Sequence, residues 1–190
     1  MKLDKEQQKH VVEAIRKAAK LKKYKVKSYA IYSVEGNLFI HADFFVDSEK
    51  ISYRIYVKNY EYDDIFWNVM QMPSNSKQSD SLRAVGAFKA PSVLLDKGEI
   101  RLDEDYEEQV NYFVNLIFER SHNFLNTHDI DEYVINCTDG LDINILKYIA
   151  YIHMGKKSEA RMIAEKAIHN GDKGRFSNEG KYFFEWALTL

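Results

Sequence analysis

The residues of this chain best suited to chemistry stand in one block, Tyr62-Asp63-Asp64-Ile65-Phe66-Trp67 followed by Ser81-Leu82-Arg83-Ala84-Val85-Gly86-Ala87-Phe88. An acidic pair, an indole and a guanidinium would line a cleft in which Arg83 clamps an anion and Trp67 forms the floor. In such a cleft a carboxyl group of Asp63 or Asp64, its pKa raised by burial, would serve as acid or base. The same residues have a purely structural use: Asp63 caps a helix, Trp67 packs, Arg83 pairs with Asp64, and Gly86 admits a bulge.

A second set lies upstream. Lys25, Lys27, Tyr29, Phe39, His41, Arg54, Tyr56 and Lys58 fall on one side of a series of alternating segments. Aromatic rings interleaved with cations would stack bases and neutralise phosphates. Equally, they would anchor a protein partner, with Arg54 and Tyr56 as contact residues. No K/R-G-F/Y-G/A-F-V-x-F/Y signature accompanies them.

Elsewhere the chemistry is incomplete. Glu119-x-x-His122 places two metal-ligand types on one helix face, but a di-iron carboxylate bundle needs that motif twice and two further glutamates. His128, Asp129 and Asp131 would join it only if the chain folded back after Asn126. Cys137 is the one cysteine, which excludes an internal disulfide and a cysteine-rich zinc site; Val134-Ile135-Asn136-Cys137 reads as a packed segment. The eight glycines never form a phosphate-cradling loop. No metal and no cofactor is expected.

The elements that must hold these residues begin with a helix over residues 4–23, whose Val11, Val12, Ile15, Ala18 and Ala19 share a face. Segments 24–34, 38–46 and 51–60 then read as strands linked by Gly36-Asn37 and Asp47–Lys50, connections short enough only for an antiparallel meander. Leu38, Ile40, Ala42 and Phe44 with Ile51, Tyr53, Ile55 and Val57 form the core face. A short helix comes next through Ile65–Met70, then a polar loop over 73–81. Leu82–Phe88 is expected as a fourth strand interrupted at Gly86, and Pro91 confines the residues after it to an edge or a loop.

The acidic run Asp103–Glu108 opens a long helix to about Leu125, with Val110, Phe113, Val114, Ile117 and Phe124 buried. The remainder is helical: 142–154, 157–169 and about 178–188. The first two resemble one tetratricopeptide hairpin through Tyr151, Gly155, Ala160 and Ala167, in a single copy that forms no groove alone. The expected fold is therefore α+β, an N-terminal helix and an antiparallel meander of three to four strands packed by helices. Residues 1–126 and a helical subdomain at 127–190 divide it, or form one domain.

Length and composition agree with a globular chain: 190 residues, 45% hydrophobic and 29% charged, with 2 prolines. The net charge of −2 conceals segregation. Residues 1–27 hold ten Lys and Arg against three acids, and residues 99–145 hold twelve acids against two. The basic end is expected to face the acidic segment, in one molecule or between two. No apolar stretch reaches membrane-spanning length and no h-region opens the chain, so a cytoplasmic location without membrane contact is expected.

The block at 62–67 and 81–88, with the helix-then-meander order before it, resembles an uncharacterised family of small Gram-positive bacterial proteins over residues 20–95. The resemblance rests on the runs Asp63–Trp67 and Leu82–Phe88; it implies a bacterial cytosolic protein and carries no activity. The first functional expectation is thus a non-enzymatic interaction or regulatory protein, for example of immunity type, that binds a protein partner or itself. The alternatives are a ligand-binding protein or enzyme with a cleft around Asp63, Asp64, Trp67 and Arg83, and nucleic-acid binding through the basic-aromatic face.

Overall fold

The computed structural model describes residues 2–103 and 105–190. The first helix, α1 (Lys5–Leu21), is started by a capping box: Asp4 accepts from the Glu6 and Gln7 amides at 2.8 Å, and Gln7 accepts from the Asp4 amide at 2.9 Å. Its buried residues Val11, Ile15 and Ala19 recur every four positions, the spacing of one helical face.

Five strands come next in an antiparallel sheet whose spatial order is the order in sequence: β1 (Lys25–Lys27), β2 (Ala30–Glu35), β3 (Leu38–Val46), β4 (Lys50–Asn59) and β5 (Val93–Arg101). The expected strand at 24–34 is broken in two by a turn in which Ser28 has φ 53°. Gly36 sits at φ 60° in the two-residue link between β2 and β3, a conformation that favours glycine. At the β3–β4 link the Asp47 carboxylate accepts from the amides of Glu49 (2.7 Å) and Lys50 (3.0 Å), which fixes the turn.

Leu82–Phe88 is not a strand. It forms a one-turn helix, α3 (Asp80–Arg83), and a 3₁₀ turn at Gly86–Phe88, preceded by α2 (Tyr62–Val69) and another 3₁₀ turn at Pro73–Lys77. This segment lies over one end of the second sheet face. Phe39, His41 and Lys58 are fully buried there, and Ala84 packs with Ala30, Tyr32 and Phe39. The strand that completes the sheet is β5, and it is an edge, as Pro91 implies.

On the opposite face α1 packs with α4 (Tyr106–Thr127) in an apolar cluster that joins Val11, Ile15 and Ala19 to Phe44, Ile55, Phe113 and Ile117. The basic N-terminal helix and the acidic segment thus meet within one chain. Among the described residues no ion pair joins the two helices; Lys22 instead lies 4.9 Å above the Phe118 ring.

The C-terminal part comprises α5 (Ile130–Asn136), α6 (Ile143–His153), α7 (Lys157–His169), a small ribbon β6 (Ser177–Asn178) and β7 (Lys181–Tyr182), and α8 (Phe183–Ala187). The helix expected from residue 178 is this ribbon plus α8. Ala160, Ala164 and Ala167 are buried in the same cluster as the α6 residues Leu146 and Ile149, so small residues let the two helices approach. That cluster also takes in Phe66, Trp67, Val57 and Val93, running without a break from α2 and the sheet to α5–α8.

Candidate functional site

Of the six residues singled out from sequence, Asp63 and Arg83 meet each other. Asp63 caps nothing, because α2 begins one residue earlier and has no side-chain cap. Its fully buried carboxylate pairs with Lys58 Nζ through Oδ1 and with Arg83 Nη1 through Oδ2 at 3.1 Å. Arg83 therefore pairs with Asp63 rather than with Asp64, which is exposed. The remaining Arg83 donors reach the carbonyl oxygens of Gln78 (3.1 Å) and Ser76, and the Tyr60 ring lies 4.3 Å from its guanidinium. Every part of this arginine is engaged in pinning the 76–83 segment to the sheet.

Trp67 is buried with an edge-to-face contact to Phe66 at 4.8 Å, and its Nε1 has no partner among the described residues. His41 is fully buried, stacked on Tyr56 at 4.8 Å, and neither ring nitrogen has a partner among the described residues. Burial, reinforced by Lys89 and Lys58, holds its pKa well below the ordinary histidine value. Burial likewise lowers that of Lys58, against the opposing pull of Asp63.

Arg54 and Tyr56 have a different setting. Both line a cleft of about 830 Å³ at the β5 side of the second face. One wall is the sheet, where Asp43, Arg54 and Lys97 stand in register across β3, β4 and β5. Gly86–Ser92 forms a rim, and the far wall comes from the α5–α6 connection (Cys137, Asp139–Ile143) with Leu146, Arg175 and Phe176. That wall is braced by a two-pronged ion pair: Arg175 donates to both carboxylate oxygens of Asp142 at 2.8–3.0 Å, and Asp142 itself has φ 62°.

The charges in the cleft do not balance. Asp43 is spent on Lys89 (2.5 Å), which also covers the Tyr56 ring at 4.7 Å. The nearby Glu99 is spent on Lys50 (2.6 Å). Arg54 and Lys97, both exposed, face each other directly across the β4–β5 pair, and neither forms an ion pair among the described residues. Like charges set opposite one another on a sheet are unfavourable unless something offsets them.

A polar chain that sequence reading did not anticipate lies elsewhere, where α2, α5 and α6 converge. Tyr62 donates to Asp131 Oδ1 at 2.6 Å, and Asp131 Oδ2 lies 2.7 Å from His153 Nδ1. His153 Nε2 is 3.4 Å from both Glu61 Oε2 and the Asn59 amide nitrogen. An Asp–His pair orients an imidazole for base catalysis, yet Nε2 here meets a carboxylate and an amide, not a hydroxyl or thiol. Burial first, then Asp131, raises the Tyr62 pKa, so the phenol stays a donor. The chain ties three helices together. Among the described residues no group of three or more His, Cys, Asp or Glu side chains is placed to hold a metal ion.

A shallower cleft of about 260 Å³ on the other side of β5 is lined by Asp96, Arg120, Phe124, His128 and Tyr133, and its charges close on each other through Arg120–Asp96 at 2.8 Å. Asp63, Asp64, Trp67 and Arg83 line neither cleft. Among the described residues no helix is long and apolar enough to cross a membrane. No family model matches the chain, and neither a curated protein nor a solved structure matches it at significance.

Proposed function

We propose that the chain is a non-enzymatic interaction protein whose working surface is the large cleft beside β5, with Arg54 and Tyr56 among its contact residues. The observation that carries this reading is the opposed cation pair, Arg54 and Lys97, neither of which forms an ion pair among the described residues, in an open cleft. Of the other ionic groups in the lining, Lys89 pairs with Asp43 and Arg175 with Asp142, while Asp139, on the far wall, forms no ion pair among the described residues. A partner that brings negative charge would relieve the repulsion and gain orientation from it. The basic-aromatic surface open for nucleic acid is correspondingly small, because Phe39, His41 and Lys58 lie beneath the chain's own 76–89 segment.

The test is native mass spectrometry of the tagged protein isolated gently at low salt from the organism that makes it, beside an Arg54→Glu/Lys97→Glu variant. A second protein at fixed stoichiometry on the wild type, and absent from the variant, is the expected result. A partner held equally by both, or a bound small molecule in place of a protein, would overturn the reading.

A further inference from the structure

The cleft is two-sided in chemistry as well as in shape. Its sheet side presents Arg54 and Lys97, and its remaining lining is largely apolar. Leu94, 40% exposed on β5, belongs to the sheet wall and Leu141, 74% exposed, to the facing wall, and Val93, Ile143 and Leu146 add to the apolar lining. Apolar side chains open on both walls give an occupant apolar area to bury.

Magnitudes decide what kind of occupant fits. An exposed ion pair strengthens binding by up to about fivefold, so two cations cannot by themselves retain a small anion. Burial of one large apolar side chain contributes about tenfold to a hundredfold. The occupant must therefore carry both features. Pairing with the free edge of β5 is disfavoured, because Leu95 bulges out of register and Lys97, Glu99 and Arg101 place charge along that edge. Recognition falls to side chains.

We infer that the cleft takes an acidic-apolar peptide segment of a partner protein, neighbouring carboxylates resting on Arg54 and Lys97 and an apolar side chain seated between Leu94 and Leu141. This rests on the cleft being the working surface. Two carboxylates match two cations that form no ion pair among the described residues, and the acids would offset the unfavourable cross-strand contact with two favourable ones. A neutral apolar segment would fill the same space and leave that repulsion in place.

The test pans a display library of random linear peptides against the full chain. Enriched peptides are then measured by fluorescence anisotropy on wild type, on Arg54→Glu/Lys97→Glu and on Leu94→Asp. All three positions are exposed, and melting curves establish that the variants fold. Enriched peptides are expected to combine neighbouring acids with a leucine or aromatic residue and to bind each variant at least tenfold more weakly. Peptides weakened by Leu94→Asp but not by Arg54→Glu/Lys97→Glu would overturn the acidic anchor and leave the cleft reading standing. Displacement by inorganic phosphate at constant ionic strength would reassign the cation pair to a phosphoryl group and overturn the carboxylate assignment. Peptides indifferent to both variants, or a library that enriches none, would overturn both readings.

Discussion

Two adjacent aspartates show how burial, not residue type, assigns a role. Asp63 is fully buried between Lys58 and Arg83, whereas Asp64 points to solvent one residue later. Asp63→Asn leaves two buried cations without a counter-charge and is expected to cost about 3–5 kcal/mol. Lys58 can shed its proton, since burial already lowers its pKa, which places the loss toward the lower end. Asp64→Asn should stay within about 0.5 kcal/mol, as exposed substitutions do. Urea midpoints of the two variants check this, and equal losses would refute it. His41 sets a pH dependence by the same logic. Its pKa in the fold lies well below 6.5 and the unfolded chain titrates normally, so below about pH 6.5 only the unfolded chain takes up the proton. Stability contributed by neutral His41 is present above that pH. It falls by up to about 1.4 kcal/mol per unit as pH drops toward the folded value. His41→Phe removes two buried nitrogens that have no partner among the described residues, and this proton linkage with them. The variant should be more stable than wild type at pH 5 by a larger margin than at pH 7.5, and a margin that does not widen on acidification would contradict the assignment.

The meander was legible in the sequence because alternation and two short links leave little freedom: a one-residue slip would turn Ile40, Ala42 and Ile55 away from the core. The failure at Leu82–Phe88 has a physical cause. Short apolar runs serve strand and single-turn helix equally, and Arg83 fixes the outcome through Asp63, Gln78 and Ser76, partners a local window cannot see. The real fifth strand, Val93–Arg101, was obscured by its charges and by Gly98. That glycine is needed because a Cβ there would lie 2.7 Å from the Tyr53 hydroxyl. The candidate site was half legible. Arg54 and Tyr56 are set by strand alternation, but the cleft wall opposite them comes from residues 137–146 and 175–176, which no periodicity connects to β4. The Tyr62–Asp131–His153 chain left no spacing signal at all, since its members sit on three separate helices.

Charge segregation along the chain draws attention to ionic docking of the basic and acidic segments, yet the contact between α1 and α4 is apolar. Ile15 is fully buried among Phe113, Ile117 and the sheet residues Phe44 and Ile55, and among the described residues no ion pair crosses from α1 to α4. Opposite net charge then acts only at long range, over distances that physiological salt screens within about 8 Å. Removing apolar volume is a larger perturbation: Ile15→Ala should cost about 2–5 kcal/mol through lost burial and the cavity it leaves. For a chain of 190 residues this lowers the melting temperature by roughly 2–4 °C per kcal/mol. Raising sodium chloride from about 0.02 M to 0.5 M, across the range where the Debye length shrinks severalfold, should move the wild-type melting temperature far less than that substitution does. Melting curves of the two proteins at both salt concentrations decide it. A large salt-induced drop with an innocuous Ile15→Ala would mean that charge, not packing, seats the N-terminal helix. In that case the cations of α1, rather than those of the β5 cleft, would be the strongest surface on this protein for an acidic partner.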